Sequence, residues 1–423
     1  MRGAWSKKCL SPLAKNVVDE ASSNSEGSYE FGSSTTTTGK AKKDGVEAGK
    51  SFGKWVELVL TVAEDEYNLL CDLAPLTSSQ LVAQAYGALL APILGLFGTT
   101  LGSLIGLIKR SLHKHTFLAL STYEALLKLL PRWESLLNLR EGGSSNEVKE
   151  GLNSLRAVCL RSFPELIADI KSGATSKNNV GLAEYTGAVT DFTQSTVTYL
   201  SKLPIVKGAV GSALLSLGDG NWKMGEGVQV GKASKLALGG EGGGDVEQTI
   251  LEHYIHDVIN ATIASITALS KASRRPPVAG TFLLNNVHYL NAHLLQSPFD
   301  PSLPGMIAKP TQDLLARSQR TAKAGYFDSN FGPLMQALSD DPKEGRTAGK
   351  ERFTRFYDLL EEVLERHRVV RVLDTDELSE LGREGIAEEA CKLVVPAFRR
   401  FVQRMKDREF SKSESSPLPE IHY

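Results

Sequence analysis

The sequence predicts an all-α chain, and three observations carry that expectation. Apolar residues recur at helical spacing through most of the chain. Strand signals are scarce, and without a βαβ alternation a doubly wound sheet is disfavoured. Helix-length segments follow one another in pairs without a fixed-period repeat, which suits stacked bundles or an irregular α-solenoid.

Taken in order, Phe52–Leu70 reads as an amphipathic helix with Trp55, Leu58, Val62 and Leu69 on its apolar side. Between Asp72 and Lys109 no residue is charged, so Leu81–Ile108 is a candidate membrane anchor. Pro92 is expected to split that run into two buried helices, each shorter than the ~20 residues a span needs. His115–Leu137 carries Phe117, Leu120, Tyr123, Leu126, Leu127 and Leu130 on one stripe. Helical patterns continue at Val148–Asp169, Val189–Leu203, Gln248–Ser270, Gly280–Leu295 and Pro310–Arg320. Within Phe282–Leu290, Asn285 and Asn286 interrupt an apolar helix, although asparagine is a poor helix former. Their amides are expected to bond across a helix–helix contact.

The last pair of helices is the most distinctive. Phe353, Phe356, Tyr357, Leu360, Val363, Leu364 and Val370 form one stripe. Val394, Ala397, Phe398, Phe401, Val402 and Met405 form a second. Lys392, Arg399, Arg400, Arg404, Lys406, Arg408 and Lys412 face only Asp407 and Glu409, in a chain whose net charge is -1. Lys350, Arg352 and Arg355 open the first helix of the pair, where cations oppose the helix dipole and bring no obvious stability. A local cationic excess suits docking on anionic lipid better than a catalytic cleft.

Joints are marked by composition. Ala21–Lys50 is rich in Ser, Thr and Gly and reads as a disordered insertion. Glu141–Asn146, Gly218–Asp245, Ala272–Ala279 and Ser339–Gly349 read as breaks, the second as a long Gly-rich loop. At 423 residues, with 41% hydrophobic and 23% charged content, two or three packed units are expected. The near-neutral total argues against nucleic-acid binding. Cys9, Cys71, Cys159 and Cys391 form no CxxC pair, and free thiols in a reducing compartment are the economical reading.

Chemistry is sparse. The glycines match neither a phosphate loop nor a dinucleotide fingerprint. His253, His256 and Asp257 share a helical edge but lack the closed set of ligands that zinc needs, so a solvated face is expected. His113 and His115 fall beside Lys109, Arg110 and Lys114 and read as basic surface. No metal, no cofactor and no enzymatic activity are expected.

Several segments resemble the seventy-kilodalton exocyst subunit family, Exo-seventy. They are FLLNNVHYL at Phe282–Leu290, KERFTRF at Lys350–Phe356 and VPAFRRFVQR at Val395–Arg404, supported by Phe117–Glu134, Leu182–Leu203 and Leu251–Ile263. The resemblance implies an elongated rod of stacked antiparallel helical bundles and a role in tethering secretory vesicles to the plasma membrane. It also implies binding of phosphatidylinositol 4,5-bisphosphate, contact with the other exocyst subunits and with Rho-type GTPases, and a cytoplasmic protein held peripherally at sites of polarised secretion. The KERF-like motif places Lys350 and Arg352 among lipid contacts; Arg355, Arg399, Arg400, Arg404, Lys406, Arg408 and Lys412 join them on charge.

The family's N-terminal coiled coil finds little counterpart here, and Arg2–Leu13 resembles a segment from well inside such proteins. After Phe410-Ser411-Lys412 the sequence runs SESSPLPEIHY, so two expected lysines are absent and weaker lipid binding is implied. The resulting division is a partly disordered segment at 1–51, bundles at 52–140 and 147–338, a basic helical domain at 345–412 and a disordered tail at 413–423. The rivals are a helical scaffold that binds only proteins and an integral membrane protein anchored by 81–108.

Overall fold

The computed structural model describes residues 2–23, 45–73, 78–140, 146–223, 243–296, 302–339, 346–373 and 378–407. These residues form helices and connecting turns, with no strand among them. In chain order the α-helices are α1 (Arg2–Ser23), α2 (Gly45–Leu73), α3 (Ser79–Arg110), α4 (Leu112–Leu137), α5 (Glu147–Gly173), α6 (Lys177–Gly181) and α7 (Asp191–Lys202). They continue as α8 (Lys207–Leu217), α9 (Gly243–Ala272), α10 (Pro276–Leu295), α11 (Ser302–Met306), α12 (Lys309–Ala337), α13 (Arg346–Val369) and α14 (Leu378–Asp407). The packing divides the chain into two compact units, one of residues 1–170, 198–259 and 305–308, the other of 171–197, 260–304 and 309–423. The segment 52–140 falls in the first unit and 345–412 in the second, while 147–338 contributes to both.

In the first unit the amphipathic stripes do what their spacing demands. Helix α1, expected to be partly disordered, buries Gly3, Ser6, Leu10, Ala14, Val17 and Ala21 at intervals of three or four. A Cβ at Gly3 would run into the Leu89 carbonyl, so a glycine lets α1 lie close on α3. Phe52 and Trp55 on α2 meet Phe97 on α3, and Phe97 meets Trp133 on α4 with ring centroids 4.9 Å apart. Burying rings of this size contributes more than any polar contact nearby. Tyr199 and Tyr254 bond hydroxyl to hydroxyl at 3.1 Å, with Phe163 and Trp222 edge-on to Tyr254.

Helix α3 corrects an expectation, because it runs through Pro92 without a break. Pro92 cannot donate to the carbonyl of Ala88, one turn back, and Ala88 is exposed, where solvent can serve that acceptor. By length and composition α3 and the stretch Asp191–Leu217 are apolar enough to cross a membrane. Most of the large side chains of α3 nevertheless point inward, with Tyr86, Leu90, Ile93, Phe97, Leu101 and Leu104 all buried, while Leu81 near its start is exposed. From Gln84 to Ser103 its exposed positions are Gln84, Ala88, Ala91, Gly95, Gly98, Thr99, Gly102 and Ser103, small or polar groups that gain little from hydrocarbon.

The second unit is built around α10, α12, α13 and α14. Leu284 and Val287 from α10, Tyr326 and Leu334 from α12, Phe356 and Val363 from α13, and Ile386 and Phe401 from α14 share one core. Most of the α13 stripe is buried or half-buried, but Leu364 is 55% exposed because it lies at the stripe's edge. In this core the His367 ring is bonded at both nitrogens: Nε2 meets the Tyr326 hydroxyl at 2.7 Å, and Nδ1 donates to the Val363 carbonyl at 2.7 Å. Burial, and less so the Arg366 charge, lowers its pKa against the raising effect of the Val363 bond. The unfolded chain therefore takes up this proton first, and stability present above about pH 6.5 declines as pH falls below it. The urea midpoint is expected to drop between about pH 7.5 and about pH 5.5, and to drop less in His367→Gln.

Candidate functional site

The two basic sequence segments meet because the aromatic residues between them stack. The Phe353 ring lies 6.4 Å from Phe398 and 6.5 Å from Phe401, and Phe356 stacks on Phe398 at 5.0 Å. These contacts set the start of α13 beside the end of α14. At the other end of the pair, Arg383 donates to the Leu373 carbonyl at 3.0 Å. The helices are thus antiparallel, and Lys350, Arg352 and Arg355 gather with Arg399, Arg400 and Arg404 at one tip.

The six are not equivalent. Lys350, Arg355, Arg399 and Arg400 are exposed. Arg352 and Arg404 are half-buried and donate to the carbonyls of Ser339 and Leu338 respectively, the latter at 3.1 Å. Those carbonyls lie just past the last turn of α12, where a helix leaves acceptors unsatisfied and favours cations. Two guanidinium groups from two helices therefore clamp a third. Their role as positioning residues was invisible in the sequence, since nothing local to 352 or 404 names the end of α12. Lys392, on the same helix, pairs with Glu388 at 2.6 Å. Arg408 and Lys412 lie outside the described residues, as do the Lys406 side chain and the tail.

Asn285 and Asn286 are buried and bonded, Asn286 partly across to Thr193 on α7, as expected of a helix–helix contact, and both to turn backbones as well. Asn286 Oδ1 accepts from the Thr190 N–H at 2.9 Å and the Thr193 hydroxyl at 3.0 Å, while Nδ2 donates to the Ala188 carbonyl at 3.1 Å. Asn285 Nδ2 donates to the carbonyls of Gly187 at 2.8 Å and Arg371 at 3.0 Å. Its Oδ1 accepts from the Leu373 N–H at 2.9 Å. Gly187 and Leu373 both have positive φ, 66° and 52°. One amide thus braces two left-handed turns, one of them at a residue for which that conformation costs about 1–2 kcal/mol. The second turn leads from α13 toward α14, so this polar core supports the pair that carries the tip.

The other histidine candidates hold turns in place. Asp257 accepts from the Trp222 indole at 2.9 Å and pairs with Lys223 at 2.6 Å, while His253 faces Asp219 at 3.0 Å. That edge pins the start of the expected Gly-rich loop, with Trp222 buried; residues 224–242 lie outside the described ones. Among the described residues no His, Cys, Asp and Glu group could hold a metal. His115, expected at the surface, is buried at a non-helical kink in α4. Its pKa is lowered by burial first, and then by the charges of His113 and Lys114.

The fold and sequence have known counterparts. The solved structure of the S. cerevisiae exocyst component Exo70p matches with a TM-score of 0.53 at 19% identity, over 85% of this chain and 66% of that one. The exocyst complex protein exo70 of Neurospora crassa is 23% identical over 415 residues, covering 90% of this chain. The chain spans 61% of that relative's length. The family model for the C-terminal part of the Exo70 exocyst complex subunits matches residues 50–420, and the chain belongs to that family.

Proposed function

We propose that this protein is an exocyst subunit that helps tether secretory vesicles to the plasma membrane, without enzymatic chemistry. Its basic tip binds phosphatidylinositol 4,5-bisphosphate, and other surfaces contact the remaining subunits and Rho-type GTPases. The protein works in the cytoplasm, held peripherally at the membrane where secretion is polarised. Family membership supports the tethering role. The observation that carries the lipid role is the gathering of exposed Lys350, Arg355, Arg399 and Arg400 at one tip by aromatic stacking. Each cation near an anionic surface contributes about 1 kcal/mol, so a few suffice for reversible docking and no pocket is required.

Two measurements test the proposal. Sedimentation with vesicles containing the bisphosphate lipid is expected to capture the protein at low salt and to lose it as salt rises, since exposed charges are screened over about 8–10 Å. Binding that ignores both the lipid and the salt would sink the lipid role. Purification from cells is expected to bring other exocyst subunits with it; their absence would sink the assembly role.

A further inference from the structure

The turn between α9 and α10 is cationic within a stretch of sequence that holds no acid. From Val258 to Phe299 there is neither aspartate nor glutamate, yet Lys271, Arg274 and Arg275 fall together and all are exposed. The Arg275 guanidinium lies over the ring of Tyr185, 4.9 Å from its centroid, and Tyr185 is itself 54% exposed. Stacking of this kind fixes the guanidinium plane and leaves its edge of N–H donors open to an acceptor. The end of α13 is close by. Asn330 donates to the Pro277 carbonyl at 3.1 Å and accepts from Arg366 at 3.1 Å, and a Cβ at Gly187 would fall 2.7 Å from Val370. Val369, one residue earlier, is 77% exposed. Counted along the chain from the meeting of Gly187 with Val370, Tyr185 and Val369 lie within about 16 Å of each other. Of the acids beside them in sequence, Glu184 is half-buried and Glu365 pairs with Arg368.

We propose that this surface binds a short acidic segment of a partner protein, with carboxylates on Arg274 and Arg275 and an apolar side chain against Tyr185 and Val369. The proposal goes beyond the lipid reading and does not depend on it. An extended segment of about five residues spans the distance. Arginine and tyrosine beside an exposed aliphatic group suit a protein interface, whereas a membrane surface asks only for charge. A stacked guanidinium also recognises a carboxylate through two parallel bonds, which gives direction as well as attraction. The surface is held in shape from beneath. Buried Asn285 bonds the carbonyls of Gly187 and Arg371 and the N–H of Leu373, so it ties the turn after Tyr185 to the turn after Val369. Rigidity of this kind leaves less ordering to be done when a flexible peptide binds. It also gives a use to a polar residue set within the apolar run Phe282–Leu290.

The probes are fluorescent twelve-residue peptides in which glutamates at varied spacing flank one leucine, with glutamine counterparts, read by anisotropy on the full chain. The best glutamate peptide is expected to bind at least about tenfold tighter than its glutamine counterpart, as charge-assisted bonds require. Arg274→Ala with Arg275→Ala is expected to erase that preference. Arg275→Lys keeps the charge but loses the fork, and is expected to weaken binding by about tenfold. Tyr185→Ala should cost about threefold, and Tyr185→Phe, which keeps the ring, should bind as the unmodified chain does. Replacing Lys350, Arg355, Arg399 and Arg400 by alanine should leave peptide binding unchanged, which separates this surface from the lipid-binding tip. The proposal is overturned if no glutamate peptide is preferred, or if Arg275→Lys binds as tightly as the unmodified chain. It is also overturned if the Arg274 and Arg275 double variant keeps the peptide but loses bisphosphate vesicles as fully as the tip variant. That result would give the surface to the membrane.

Discussion

Replacing Lys350, Arg355, Arg399 and Arg400 together by alanine is expected to weaken binding to bisphosphate-containing vesicles by about a thousandfold. Each cation is worth about 1 kcal/mol at the surface, and about 1.4 kcal/mol corresponds to tenfold in affinity. All four are exposed, so the folded state should survive and the unfolding midpoint should stay close to that of the unmodified chain. Arg404→Ala is expected to behave in the opposite way. Its guanidinium serves the Leu338 carbonyl at the end of α12, and its loss should cost about 1 kcal/mol of stability. Its effect on vesicle binding should be modest, about fivefold or less. Vesicle titration and urea unfolding on the same preparations separate the two classes. Equal losses of binding from Arg404→Ala and from the quadruple variant would mean that the tip is not where lipid is held.

Asn286→Leu is expected to be the most damaging single substitution in the second unit, at about 3 kcal/mol or more. The side chain is fully enclosed, and leucine, which keeps its branching and is somewhat larger, leaves no cavity to blame. What it leaves is the buried Thr190 N–H and the buried Thr193 hydroxyl without the Asn286 oxygen that accepts from both. Each stranded group costs about 1–3 kcal/mol. Hydrogen exchange should report early opening of residues 187–193, while the first unit keeps its protection. A variant as stable as the parent would show that these bonds do not hold the loop. Asn285→Leu should also lower stability, through the turns at Gly187 and Leu373, and should loosen the approach from α13 to α14.

Much of the second unit was legible in one dimension. The stripes of α13 and α14 follow from period alone, and Phe353, Phe356, Phe398 and Phe401 meet as such stripes must. The basic excess near the chain's end was equally plain. Other features were hidden because their partners lie far along the chain. The acceptors of Arg352 and Arg404 are at Ser339 and Leu338, and Asn285 joins Gly187 to Leu373. Pro92 misled because local sequence does not say whether the carbonyl it frees meets solvent.

The linear order of residues by itself determined the all-helical character, the two apolar stripes near the end and the local surplus of cations, since helical period and charge are properties of neighbours. Only the tertiary structure decided which cations reach solvent and which bond the backbone just past α12, that the two basic ends share a tip, and that most of the bulky side chains of α3 are buried. Those outcomes depend on where distant backbone groups need partners, and a buried carbonyl or amide sets that demand only once the chain has packed.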